Sequence, residues 1–381
     1  MDKLILVDIV KIEENKKEAI NRLNEAESLV ATYSDFVIVN KIQKKMKPKY
    51  GTFLGTGKLQ EIFKEAVEKE VNYVIINNIL KPSQIRKIEE LYMKYMKDNF
   101  DINMREEDLN INFWDRIDLI LKIFKKHANT EEARLEIELA SINHMGSRIF
   151  GMGMELSKQG GGVGSRGKGE SNVRIMKTHL GKQRIKIQKK IDEFQKTRKL
   201  HRGDRIKRGF QTASLVGYTN SGKSSILRAI TKKDVYIADE LFATLDTRIG
   251  KLWLPDTLKE CLVADTIGFI KNLPPELINS FKSTLEETIH ADLLLHVVDL
   301  SDHLYKEKIK TTNDILQDLN IKTKQILVFN KIDQIENKEL KELKKEINKN
   351  PDFKGKKKVY ISAIKKEGLE KLKKEISLII K

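Results

Sequence analysis

The string Gly217-Tyr-Thr-Asn-Ser-Gly222-Lys223-Ser224 fits the pattern G-x-x-x-x-G-K-S, and it limits sharply what this stretch of chain can fold into. It follows the apolar run Ala213 to Val216, which reads as a strand, and precedes Ser225 to Ile230, which reads as the start of a helix. A strand passing through such a loop into a helix turns successive backbone N–H groups towards one point, where a phosphate can sit. Gly217, Tyr218, Thr219, Asn220, Ser221, Gly222, Lys223, Ser224 and Ser225 are therefore the candidate phosphate-binding residues. Lys223 can reach the β- and γ-phosphates, and the Ser224 hydroxyl can ligate Mg²⁺. The fold class that carries such a loop is α/β, with helices on both faces of a parallel sheet.

The loop alone says only "nucleotide"; a second string names the base. Asn330-Lys331-Ile332-Asp333 ends the apolar run Ile326 to Phe329. A carboxylate at Asp333 can accept from both the N1–H and the N2 amine of guanine. Adenine presents an acceptor where guanine presents a donor, and a buried carboxylate facing it would lose its partner. Tyr360-Ile-Ser362-Ala363 follows another strand-like run and fits a backbone loop that closes over the base. Asp265-Thr-Ile-Gly268 lies between these strings, with Asp265 suited to the outer sphere of Mg²⁺ and the Gly268 N–H to sensing the γ-phosphate. Thr244, in Phe242-Ala-Thr-Leu-Asp246, is the candidate switch threonine that closes over the metal when GTP is bound. The expected ligands are GTP or GDP with Mg²⁺ held by Ser224, Thr244 and Asp265. Lys223, Thr244, Gly268 and Asn220 are the candidate catalytic positions.

Phe269 follows Gly268, where many GTPases carry a glutamine that orients the attacking water. A phenyl ring cannot orient water, so slow intrinsic hydrolysis with a trigger from outside is expected. Asn220 allows two readings. Its carbonyl could hold a monovalent cation such as K⁺ against the phosphates, or the side chain could simply brace the loop.

The chain has 381 residues, enough for two or three domains, and carries a single cysteine, Cys261, within an apolar strand-like run. No run of about eighteen apolar residues appears, and Met1-Asp-Lys leads straight into a strand-like stretch, so a cytoplasmic monomer is expected. The net charge of +17 is unevenly spread: Arg174 to Arg208 holds fourteen Lys or Arg against three acids. Uniform compositional bias would not concentrate charge this way. A nucleic-acid contact explains it, with a solvated helix face as the alternative.

Three regions follow from the patterning. Residues 1–112 alternate strands (Leu4 to Val10, Phe36 to Val39, Val71 to Ile76) with helices and predict a small α/β unit with a parallel sheet. Pro82-Ser-Gln84 opens one of those helices. Gly55-Thr-Gly57-Lys58 invites a phosphate reading, yet a tight strand-to-helix turn explains it as well. Residues 113–208 predict a long antiparallel helical hairpin. Leu121, Ala128, Leu135 and Ile142 recur every seven residues, as do Leu180, Ile187 and Phe194. The connection at 159–170 is far longer than a hairpin turn requires, and carries Gly160, Gly161, Gly162, Arg166 and Lys168. Glycines that let backbone N–H groups approach phosphates, beside two cations, suit RNA contact, with an idle flexible loop as the alternative. Residues 209–381 predict a Ras-like nucleotide domain.

This arrangement resembles the HflX family of ribosome-associated GTPases over nearly the whole chain. The resemblance rests on Thr52 to Lys58, Lys81 to Gln84, Asp115-Arg116, Glu138-Leu139-Ala140 and the loop from Gln159 to Glu170. In the last domain it takes in Gly217 to Ser224, Phe242 to Asp246, Asp265 to Ile270 and Leu293 to Asp299. It implies binding of the large ribosomal subunit, with the N-terminal and hairpin regions reaching rRNA. It further implies GTP-dependent splitting of stalled or idle ribosomes, with hydrolysis stimulated by the ribosome. The family carries a hydrophobic residue at the position of Phe269. Two places depart from its pattern: Arg174-Ile-Met stands where Glu-Thr-Asp is usual, and Thr247 where proline is usual. Other readings are an RNA-remodelling NTPase that uses ATP through its N-terminal domain, and a non-ribosomal switch that recruits a protein effector.

Overall fold

The computed structural model describes residues 1–102, 110–144, 168–231, 241–242, 247–271, 277 and 285–380, with residues 168–176 described by backbone alone. Gly160, Gly161, Gly162, Arg166 and Thr244 lie outside the described residues, and Lys168 enters only as backbone. The chain forms two compact units, one from residues 1–126 and 137–190, the other from 127–136 and 191–381.

The first unit runs β1 (Lys3–Val10), α1 (Lys16–Tyr33), β2 (Val37–Lys45), α2 (Thr56–Glu68), β3 (Tyr73–Ile76), α3 (Pro82–Phe100), β4 (Asn112–Asp115) and α4 (Arg116–His127). Its four strands stand in the order β2-β1-β3-β4, every neighbouring pair parallel. Central β1 is apolar on both faces, with Leu4, Ile5, Leu6 and Val7 all buried, as a parallel strand covered on two sides must be. Pro82 opens α3 and the Gln84 side chain accepts from the Lys81 N–H at 2.8 Å, as the sequence suggests. Gly55 caps α2 with an ordinary negative φ, and a Cβ at Gly55 or Gly57 would meet nothing within 4 Å. The turn itself therefore does not require these glycines.

The heptad pattern from Leu121 to Ile142 predicts one helix, and the structure divides it. α4 ends at His127 and a new helix, α5 (131–144), begins after a three-residue break. Local hydrogen bonds explain the break: Thr130 Oγ1 accepts from the Ala133 N–H at 3.2 Å, and Asn129 Nδ2 donates to the His127 carbonyl at 3.0 Å. The stripe shifts accordingly, so that Ala133, Ile137, Leu139 and Ala140 are buried while Leu135 and Ile142 are half-exposed. The long helix α6 (Lys168–Lys207) returns alongside, burying Ile187 and Ile191. Gln183 donates to Glu138 at 2.7 Å, and Arg198 pairs with Glu132 at 2.5 Å. The reversed order of these partners makes α5 and α6 antiparallel.

The second unit continues with β5 (Gln211–Gly217), α7 (Lys223–Thr231), β6 (Arg248–Leu254), β7 (Lys259–Asp265), α8 (Glu286–Ile289) and β8 (Leu293–Asp299). After these come α9 (Tyr305–Asp318), β9 (Gln325–Asn330), α10 (Asn337–Lys349), β10 (Lys357–Tyr360) and α11 (Leu369–Ile379). The strand order is β10-β9-β8-β5-β7-β6. All pairs are parallel except β6 with β7. Only residues 255–258 join those two, too few for a crossover, so a hairpin is the only solution at that edge. One face packs Leu215, Val263, Leu295 and Val328 against Ile226, Leu372 and Ile376, with Cys261 in the same core. The other packs Val298, Leu327 and Phe329 against Tyr305, Ile309 and Ile347. Helices cover both faces, which leaves the carboxyl ends of the strands as the open edge for a ligand. Among the described residues, no helix is long and apolar enough to cross a membrane.

Candidate nucleotide-binding site

Three loops meet at the carboxyl ends of β5, β7, β9 and β10, and their closeness depends on missing side chains. Gly217 has φ of +149°, and a Cβ there would stand 2.2 Å from the Val297 carbonyl oxygen. Gly222 has φ of +91°, and its Cβ would stand 2.2 Å from Asn330 Nδ2. At Gly268 a Cβ would approach Thr219 Cα to 2.8 Å and Lys223 Nζ to 2.9 Å. Such distances are far inside contact, so any side chain at these positions would force the loops apart.

The space beside Gly222 is taken by the side chain of Asn330. Its Nδ2 donates to the Ser221 carbonyl at 3.0 Å, and its Oδ1 accepts from the Ala363 N–H at 3.1 Å. One buried amide thus ties the phosphate loop, the Asn-Lys-x-Asp turn and the Ser362-Ala363 loop together. The sequence pattern places Asn330 beside the base; its role as a tie is not legible in its own string. The Ser362 loop is closed by paired Ser362–Glu367 backbone bonds at 3.1 and 3.0 Å and by Ser362 Oγ accepting from the Lys365 N–H at 3.0 Å. Lys331 holds left-handed φ of +62°, and its ammonium meets Asp299 at 2.8 Å, at the end of β8. Asp333 follows in a short 3₁₀ turn and is half-exposed.

Asp265, at the end of β7, accepts from Ser224 Oγ at 2.6 Å. The two described residues expected around Mg²⁺ are therefore adjacent, with a hydroxyl and a carboxylate as hard oxygen donors suited to that ion. Lys223 is buried, and its Nζ donates to the Tyr218 carbonyl at 2.9 Å and the Gly217 carbonyl at 3.3 Å. Burial pushes this ammonium down to about 8, against the opposing pull of Asp265. Tyr218 is fixed in turn, its hydroxyl accepting from the Lys271 N–H at 2.8 Å and its ring facing Lys308 Nζ at 4.7 Å. Thr219 and Ser221 are buried, Ser225 is half-buried, and Asn220 is exposed with φ of +60°.

Phe269 is a fully buried wedge, and its backbone zips the Asp265 segment to the phosphate loop. Its N–H donates to the Gly217 carbonyl at 3.0 Å, and its carbonyl accepts from the Thr219 N–H at 2.8 Å. That lateral bond is the structural use of a residue that reads in sequence only as a missing glutamine. Of the expected nucleotide residues, the structure joins Gly217, Tyr218, Thr219, Ser221, Gly222, Lys223, Ser224, Asp265, Gly268, Asn330, Ser362 and Ala363 through these contacts.

Replacing Asn330 by Ala removes the tie while leaving the strands intact. The Ser221 carbonyl and the Ala363 N–H each lose a partner, a loss of about 1–3 kcal/mol. GDP affinity measured by calorimetry should fall roughly ten- to a hundredfold. Undiminished affinity would show that the loops keep their places without it.

The comparisons with known proteins agree with this geometry. The model of a family described as "50S ribosome-binding GTPase" matches residues 212–331. Models described as "GTP-binding GTPase Middle Region" and "GTP-binding GTPase N-terminal" match residues 127–205 and 20–125. A protein named GTPase HflX from Caldanaerobacter subterraneus is 39% identical over 337 residues, covering 88% of this chain and 73% of that protein. One of the same name from Escherichia coli is 37% identical over 317 residues, covering 82% and 70%. A solved structure titled "crystal structure of SsGBP and GDP complex" aligns with TM-score 0.50 and 22% identity, covering 100% of this chain and 98% of that one, and so supports the fold. With its nucleotide motifs drawn together at one sheet edge and such relatives over most of its length, the chain belongs to the HflX family of GTPases.

Proposed function

We propose that this GTPase binds the large ribosomal subunit and, in its GTP form, splits or rescues stalled or idle ribosomes, with the ribosome stimulating hydrolysis. The observation that carries this reading is the surface of α6. Lys177, Lys182, Arg184, Lys186, Lys189, Lys190, Lys196, Lys199 and Lys207 are all exposed along this helix, and Arg208 is exposed just beyond it. A row of cations this long matches a polyphosphate backbone. The matched family description, "50S ribosome-binding GTPase", points to the same partner. Arg198, Arg202 and Arg205 of the 174–208 stretch meet Glu286 and Glu287 at 2.6 to 3.0 Å. The lysines, with Gly160, Gly161, Gly162, Arg166 and Lys168, would make the rRNA contact.

In the nucleotide domain, Lys223 and the backbone from Gly217 to Ser225 would hold the phosphates, and Asp333 would read guanine. Ser224, Thr244 and Asp265 would hold Mg²⁺, with Gly268 sensing the γ-phosphate and the Asn220 carbonyl holding a K⁺ ion. The residues present fit the metal, since Ser224 and Asp265 already share one short contact at 2.6 Å. Bound Mg²⁺ supplies charge neutralisation of the phosphates.

Two measurements test this reading. In Asp333→Asn the carboxylate becomes an amide that offers a donor, so preference should move from guanosine towards xanthosine diphosphate. Unaltered GDP preference would remove Asp333 from the base site. In co-sedimentation with purified large subunits, the GTP-loaded chain should bind with a steep salt dependence. Charge reversal at Lys186, Lys189 and Lys190, or alanine at Gly160 to Gly162, should weaken that binding while GDP affinity stays put. Salt-insensitive binding, or none, would turn the reading towards a protein effector.

A further inference from the structure

Outside the nucleotide domain, one buried cluster of titratable side chains has no part in the function described above. Asp115 ends β4, Asp118 stands in the first turn of α4, and His144 is the last described residue of α5. All three are buried, and one donor atom from each lies within 4.8 Å of the others. His144 Nε2 stands 3.3 Å from Asp115 Oδ1 and 3.4 Å from Asp118 Oδ1.

The two carboxylates are held before any ion arrives. Asp118 N–H donates to Asp115 Oδ1 at 2.8 Å, and Asp115 N–H donates to Asp118 Oδ2 at 3.1 Å, a reciprocal cap at the start of α4. Leu80 N–H donates to Asp115 Oδ2 at 3.2 Å. Backbone donors thus fix both carboxylates and aim one oxygen of each at the imidazole, the kind of outer support that orients metal ligands.

The spacing favours a metal over a hydrogen bond. A charge-assisted N–H···O⁻ bond closes to about 2.7–2.9 Å, and one N–H can point well at only one of two oxygens. Tetrahedral Zn²⁺ holds N and O at about 2.0–2.2 Å, which puts its ligand atoms about 3.3–3.5 Å apart. Octahedral Mg²⁺ at about 2.0–2.1 Å would need donors about 2.9 Å apart and prefers oxygen throughout.

We propose that Asp115, Asp118 and His144 form a binding site for a divalent transition-metal ion of the Zn²⁺ class, with the fourth position open to water. Asp118 keeps 11% of its side chain exposed, which gives the ion and its water a way in. The ion would pin α5, at His144, to the start of α4. The competing occupant is a proton. Burial lowers the His144 pKa, but the adjacent Asp115 and Asp118 carboxylates outweigh it and raise the value to about 9, so an imidazolium can neutralise the pair when no metal is bound.

The test uses the full chain, treated with chelator and then saturated with GDP and Mg²⁺ so that the nucleotide site is filled. Zn²⁺ titrated by calorimetry should bind at one ion per chain in the face of excess Mg²⁺, and Co²⁺ should give the visible absorption of a tetrahedral centre. Asp118→Asn keeps an oxygen to accept from the Asp115 N–H, so the helix cap survives. It and His144→Gln should each weaken Zn²⁺ binding by on the order of 100-fold with GDP affinity unchanged. His303→Gln, at a histidine 63% exposed on the nucleotide domain, should have no effect. Absence of saturable Zn²⁺ binding would leave the cluster to the proton and overturn the proposal. Equal binding by wild type and both variants would place the ion elsewhere and overturn it too.

Discussion

The nucleotide domain depends on one close approach, the Asn330 amide lying against Gly222 where no Cβ stands in the way. Through it the phosphate loop accepts a hydrogen bond from the segment that carries Asp333, and the Ser362-Ala363 loop donates one. The phosphate loop and the Asn-Lys-x-Asp turn therefore share a brace, and neither can shift alone without stranding a buried polar group. Phe269 performs the matching task on the other side, bonding the Asp265 segment to both Gly217 and Thr219. Four strand ends are knitted into one surface in this way.

That brace also explains how much of the site was legible in the sequence. Glycines at 217 and 222, Lys223-Ser224, Asp265 and Asp333 announce themselves because their chemistry is local: a loop either admits a phosphate or it does not. What could not be read was who touches whom across the fold. Gly222 and Asn330 are distant in sequence, and no string states that one is small so that the other can enter. The same limit hid Asp118 and His144, each unremarkable alone. It also let the heptad count run through Thr130, where a side-chain cap overrides a periodicity that packing would otherwise have favoured. The parallel sheets and covering helices were readable because period and turn length decide them. At the one antiparallel edge, β6 with β7, a four-residue connection leaves no other choice.

Charge is arranged as deliberately as shape. The basic excess of residues 174–208 is not one undivided patch. Towards the end of α6 three arginines are committed to Glu286 and Glu287 on the short helix α8, which lies downstream of the Asp265-Gly268 segment. The Ser214 and Thr288 hydroxyls, 2.9 Å apart and buried, anchor α8 to β5. The end of the basic helix is thereby attached through α8 to β5, the strand that leads into the phosphate loop, while its described lysines are exposed.

The most direct measurement of this account is single-turnover GTP hydrolysis by the full chain, with and without purified large ribosomal subunits, in potassium and in sodium buffer. Slow hydrolysis by the chain alone, since Phe269 is committed to structure, and a large stimulation by subunits are the predicted results. Fast hydrolysis without subunits, or no stimulation in either salt, would contradict it.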